Sequence, residues 1–351
     1  MEVETSRFPL QRVGWIKRSE STNYLLICTI ESGGFSILKK QKKEHKPINL
    51  EKIKTYSIKK RKNLVKIDQF GKAIQYRYFS KFIDSLPKIL AANDLRNLID
   101  SIVKAHNKKR QVVLALGAHV IKCGLSPIVI DLMKRGIVTA VAMNGSGAIH
   151  DYEISLIGET SEDVSHSLKD GSFGMAKETA EGIQAAASVP ECGLGRSLGN
   201  KIIKDKNKHR QHSILAVGAR LNIPVTIHVA IGTDIIHMHP GVSGSDMGES
   251  SLVDFKILCS VVSELEGGVW LNVGSAVIMP EVFLKAITVA RNLGRKVKNF
   301  TTANMDMIQH YRPQTNVVKR PTTHGYSITG HHEIMLPLLR LGVLAGLKRK
   351  K

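Results

Sequence analysis

The chain has 351 residues, 42% hydrophobic and only 5% aromatic, so a large core is available but must be built from aliphatic side chains. No apolar run approaches the ~18 residues of a membrane-spanning helix. The start MEVETSRFPLQRVGW has no signal-peptide core, so the expected location is cytoplasmic and no membrane partner is expected.

The net charge of +21 is uneven: residues 1–110 hold 25 of the 51 Lys and Arg but 10 of the 30 Asp and Glu. Runs such as LKKQKKEHK and SIKKRKNLVK lack the interleaved aromatics of single-strand binders. They read as a solvated lysine-rich face, and nucleic acid is not the expected partner. Cys28, Cys123, Cys192 and Cys259 lie far apart with no C-x-x-C pair. That spacing argues against a zinc knuckle or a disulfide framework and fits reduced thiols.

Residues 1–45 read as a poorly defined basic extension with a strand-like run at Tyr24–Ile30, and residues 46–351 as a single α/β domain. Helical spacing over Phe79–His106 predicts a helix. Then strands and helices alternate. Buried strands are predicted at Gln111–Leu116, Val138–Met143, Val225–Ile231, Gly268–Val273 and Val297–Thr302. Helices are predicted at Pro127–Lys134, Leu252–Leu265, Pro280–Leu293 and Ile334–Ala345. This alternation defines a doubly wound, mostly parallel sheet with helices on both faces. Ligands of such sheets sit beyond the carboxyl ends of the strands.

Five strand-end loops qualify: Gly117–His119, Asn144–Gly147 with Asp151, Gly232–His239, Gly274–Ala276 and Thr302–Asn304. Their small residues let backbone approach a ligand, and those that open helices offer N–H groups to phosphate. The run Gly193-Leu-Gly195-Arg-Ser-Leu-Gly199 imitates a glycine fingerprint, but no strand precedes it and its last spacing is one residue too long.

Histidines cluster at His237 and His239, near Asp234, and again at His324, His331 and His332 beside Glu333. They read as polar lining of a pocket; the sharper alternative is a metal site, because imidazole and carboxylate suit zinc or iron. Lys319, in NVVKRPTTHG, is either an amine nucleophile or one more lysine in a lysine-rich chain.

Five segments in order carry a resemblance: LGAHVIKCGLSPIVIDLMKRGIVTAVAMNGSGAIHDYE, IPVTIHVAIGTDIIHMH, GVWLNVGSAVIMPEVF, FTTANM and RPQTNVVKRP. From about Lys54 to Val343 the chain resembles deoxyhypusine synthase and its bacterial relatives. The resemblance implies a Rossmann-like fold, NAD as cofactor, and a homotetramer with sites at subunit interfaces. It also implies an aminobutyl transfer from a polyamine through an enzyme lysine, on the route to hypusine. On this alignment Asn144, Gly145, Ser146, Gly147, Gly274, Ser275, Thr302 and Ala303 contact the cofactor, and Lys319 forms the imine. Asp151 takes the place of an active-site glutamate. Catalytic roles are therefore expected for Lys319, His237 and Asp151, and substrate contacts for Asp234, His239 and His119. Two family aspartates stand here as Gly232 and His237, and the catalytic histidine falls near Pro280. Loss of those carboxylates removes the ion pairs that hold a polyamine, leaving a small amine or a lysine-bearing protein as the expected substrate class. Two other readings stay open: a metal-assisted hydrolase or transferase using His237, His239 and His331, and a non-catalytic binding protein with a basic N-terminal arm.

Overall fold

Six parallel strands form the central sheet of the computed structural model, which describes residues 48–70 and 79–349. The expected extension over residues 1–45 lies outside the described residues. In chain order the strands are β1 (Asn63–Lys66), β2 (Val112–Leu116), β3 (Ala140–Asn144), β4 (Glu159–Glu162), β5 (Val225–His228), β6 (Val269–Val273), β7 (Thr301–Asp306) and β8 (His324–Thr329). β1 and β4 pair antiparallel in a small separate sheet. The large sheet has the order β5-β3-β2-β6-β7-β8, parallel throughout. The chain enters at β2, steps outward to β3 and β5, then returns to the far side of β2 for β6, β7 and β8. This is the doubly wound, Rossmann-like order, and its reversal falls between β2 and β6.

β2 and β6 are buried along their whole length because helices cover both faces. Period-two alternation divides their side chains. Leu114, Leu116, Leu271 and Val273 join the helices Leu90–Asn107 and His332–Arg349 in one apolar cluster. Val113, Ala115 and Trp270 join Gly244–Ser263 and Ile278–Asn292 in the other, where Trp270 stacks on Phe283 at 4.1 Å.

Several elements differ from the sequence expectation, among them β1 and β4, where no strand was expected and β4 falls in a stretch, running to about Ala187, expected to be helical. The helix expected over Phe79–His106 is two, Phe79–Ser85 and Leu90–Asn107, interrupted around Pro87, whose ring and missing N–H disfavour a helix interior. The strand expected at Val297–Thr302 is β7, four residues later. The Glu266 carboxylate takes the N–H groups of Lys298 and Asn299, at 2.7 and 2.9 Å, and holds that stretch out of the ladder. β8 went unpredicted because its HGYSIT residues are mostly polar and half-exposed, as suits an edge strand.

A buried ion pair ties the segment before β1 to the helix Gly145–Ile157: Arg61 Nη2 lies 2.7 Å from Glu153 Oε2, with side chains 3% and 1% exposed. Thr179 also donates to Glu153, at 3.0 Å. Arg61→Met leaves that carboxylate buried and unpaired, and should cost about 3–5 kcal/mol in urea unfolding. A loss below about 1 kcal/mol would mean that the pair is not isolated from water.

Candidate functional site

At the reversal, where a doubly wound sheet is expected to bind ligands, the strand ends meet through backbone. Gly117 N donates to Val273 O at 2.8 Å. A Cβ on Gly117 would lie 1.9 Å from Gly274 O, so the ends of β2 and β6 touch through glycine. Gly274 turns the chain at φ +68°, in the left-handed region that glycine adopts without strain. Ser275 follows, its Oγ accepting from Met279 N at 3.1 Å near the start of the next helix.

Against these strand ends packs His332, the first residue of the closing helix and 2% exposed. Neither ring nitrogen has a hydrogen-bond partner. Its ring packs so close to Gly274 that a Cβ there would stand 2.9 Å from Nε2. Asp306 Oδ1, at the end of β7, is 4.0 Å from the same nitrogen. The His119 ring, just past β2, meets it edge-on at 5.7 Å. Burial, then the neighbouring His332, lowers the His119 pKa and favours its neutral form. Four strand ends thus converge on one imidazole.

A second cluster lies beyond β3 and β5. Asn144 caps its own helix, Oδ1 accepting from Gly147 N at 3.0 Å. Ser146 Oγ donates to Asp234 Oδ1 at 2.8 Å, and a Cβ on Gly145 would lie 2.0 Å from Asp234 Oδ2. The Asp234 carboxylate therefore occupies the N-terminal turn of Gly145–Ile157, where helix dipole and free N–H groups favour an anion. Burial raises its pKa; Ser146 and His237 oppose that shift. Asp234 Oδ2 and His237 Nε2 have no partners, while His237 Nδ1 accepts from Gly232 N at 3.2 Å. His239 is buried, and its Nε2 donates to Gly174 O at 2.9 Å, a bond between two loops.

The other expected site residues lie apart from both clusters. Asp151 is fully buried and caps the helix Ile214–Leu221. It accepts from Ser213 Oγ at 2.5 Å, Ile214 N at 2.7 Å and Leu215 N at 3.2 Å. Burial pushes its pKa up to about 6. The glycine run at 193–199 is likewise the start of a helix, Leu194–Lys204, whose Gly195 N–H donates to buried Asp254 Oδ2 at 2.8 Å. Thr302 and Ala303 are interior to β7 and fully buried, because the strand starts later than expected. Lys319 is exposed at the end of the turn Gln314–Lys319. Thr302 Oγ1 donates to Val317 O at 2.7 Å, and Gly325 abuts Val318 O. Thr302 and Gly325 are the second residues of β7 and β8, so Lys319 stands near the amino edge of the sheet, at the opposite end from both clusters.

Sequence reasoning named His332 only as one of a histidine cluster, without a role of its own, and did not name Asp306. The only signal was His331-His332-Glu333 before the closing helix, and without β8 nothing marked it as a strand end. Among the described residues, no three His, Cys, Asp or Glu side chains are placed to hold a metal ion. Nor is any helix among them long and apolar enough to cross a membrane.

No protein-family model and no curated protein matches the chain. Solved structures do. The ternary complex of AgrE with ornithine and NAD+ aligns over 73% of this chain and 33% of its own, at 14% identity and TM-score 0.50. A protein described as a conserved LOR/SDH protein from Methanococcus maripaludis S2 covers 74% of this chain and 70% of its own, at 17% identity and TM-score 0.49. A protein described as a deoxyhypusine synthase from Entamoeba histolytica covers 78% and 94%, at 12% identity and TM-score 0.44. At these identities the likeness concerns the fold, a six-stranded doubly wound α/β sheet of Rossmann type.

Proposed function

We propose that this chain is a nucleotide-dependent enzyme that seats NAD in the crevice between β2 and β6. The observation that carries the reading is His332, buried at the topological switch point with both nitrogens unsatisfied. The residues there fit a dinucleotide. Ser275 is small and an orphaned imidazole awaits a partner, although the space beside Gly117 and Gly274 is taken by Gly274 O and the His332 ring. The fit is poorer at Asn144–Gly147, where Asp234 already fills the helix N-terminus. Those four residues would contact the cofactor only after Asp234 withdraws.

Bound in the crevice, NAD would supply a hydride acceptor. The chain's own part would fall to His332, which can take or return a proton at a ring nitrogen, with Asp306 Oδ1 4.0 Å from Nε2. The substrate class remains an amine or related group. A transfer through Lys319, as the resemblance to deoxyhypusine synthase implies, would need that lysine from a neighbouring copy, since within one chain it lies at the far edge of the sheet.

Calorimetric titration tests the cofactor seat. Wild type should bind NAD with micromolar affinity, and His332→Phe, which keeps the volume but not the nitrogens, should weaken it at least tenfold, about 1.4 kcal/mol. Equal affinities in the two proteins, or no binding to wild type, would end this reading.

A further inference from the structure

We propose that Asp234 and His237 form a subsite, separate from the crevice, for a neutral ligand group that donates one hydrogen bond and accepts another, such as a primary carboxamide. The two residues come from the loop after β5, joined to the strand by the exposed run Ile231–Thr233. Asp234 Oδ1 is engaged by Ser146, which leaves Oδ2 as a buried acceptor without a donor. Gly232 N–H donates to His237 Nδ1, which must therefore be the bare nitrogen of the neutral ring. The proton then resides on Nε2, a buried donor without an acceptor. One missing donor and one missing acceptor on neighbouring residues define the complement.

Charge narrows the choice. An incoming anion meets the Asp234 carboxylate, itself already lodged on the helix N-terminus. An incoming polycation meets a single carboxylate whose other oxygen is bonded, beside an imidazole and the positive end of a helix dipole. A neutral group that satisfies both orphans faces neither opposition. Among the described residues, the ionisable neighbour acting on Asp234 is His237. The subsite names a chemistry for the substrate end of the enzyme proposed above, but it does not depend on NAD. A failed cofactor titration would leave it standing.

Isosteric probes test it: propionamide, propionate and propylammonium, each followed through the His237 ring nitrogen resonances of the full chain. In wild type, propionamide should shift the Nε2 signal at concentrations where the two ions do not. Asp234→Asn keeps an oxygen for Ser146 and replaces the orphan acceptor by a donor, so it should invert the preference toward propionate by at least tenfold. His237→Gln, which retains a donor, should keep the wild-type order when Ser146 amide shifts are followed instead. A wild-type preference for propylammonium, no response to propionamide, or an unchanged order in Asp234→Asn would overturn the proposal.

Discussion

Gly117→Ala should destabilise the protein by forcing the ends of two strands apart. The new Cβ would fall 1.9 Å from Gly274 O and 2.5 Å from Gly274 C, atoms of backbone that cannot rotate away. Relief requires β2 and β6 to part at their ends, breaking the bond from Gly117 N to Val273 O. Overpacking of this kind costs about 1–3 kcal/mol, and more where backbone is the obstacle. Gly248→Ala is the control: nothing lies within 4 Å of its Cβ in the helix Gly244–Ser263. There the change should be neutral or stabilising by up to ~1 kcal/mol, from helix propensity. Urea denaturation of both variants decides the matter. Equal stability of Gly117→Ala and wild type would mean that the two strand ends are not in contact.

The second large effect concerns pH. Asp254 is 1% exposed and lies against Gly193, with Oδ2 accepting from Gly195 N and Ile227 N at 2.8 Å each. Burial pushes its pKa up to about 7 in spite of these bonds. A carboxyl with a raised folded pKa binds more protons when folded than when unfolded. Its contribution is therefore most favourable below the unfolded value of 3.8 and is lost as pH rises toward about 7. Buried histidines act in the opposite sense, since His150 is pushed down to about 4 and His228 to about 3, both by burial. The informative quantity is thus the difference between wild type and Asp254→Asn, in which the histidine contributions cancel. Relative to the variant, wild type should lose roughly 1 kcal/mol per pH unit between pH 5 and 7, near the 1.4 kcal/mol limit for one proton. A pH-independent difference would show that Asp254 ionises in the fold as easily as outside it.

The sheet was legible because parallel strands buried on both faces leave short apolar runs: QVVLAL and GVWLNV need no partner to be recognised. β8 was not, because an edge strand with one wet face has no such run. That omission hid His332, whose importance comes from where β8 delivers the chain. The loops Gly117–His119 and Gly274–Ala276 were found from glycine after a strand, and Asp234 and His237 from their place beyond β5. What single-sequence reading could not separate was a carboxylate facing a pocket from one serving a distant backbone. Asp151, Asp234 and Asp254 look alike in sequence. Their partners are 27 to 88 residues away, and only the packed chain shows which backbone each one meets.

Those long-range carboxylates also bear on the order of assembly. Asp151 fastens the residues at 213–215, Asp254 those at 195 and 227, and Asp234 the turn after β3. None of these bonds can close until chain separated by a large loop has been brought together, an entropic cost met before any of them is formed. The β3–β5 half of the sheet therefore has no stable partial form to rest in. It should arrive late and all at once, after the β6–β7–β8 side, whose paired residues lie only 32 and 23 apart along the chain.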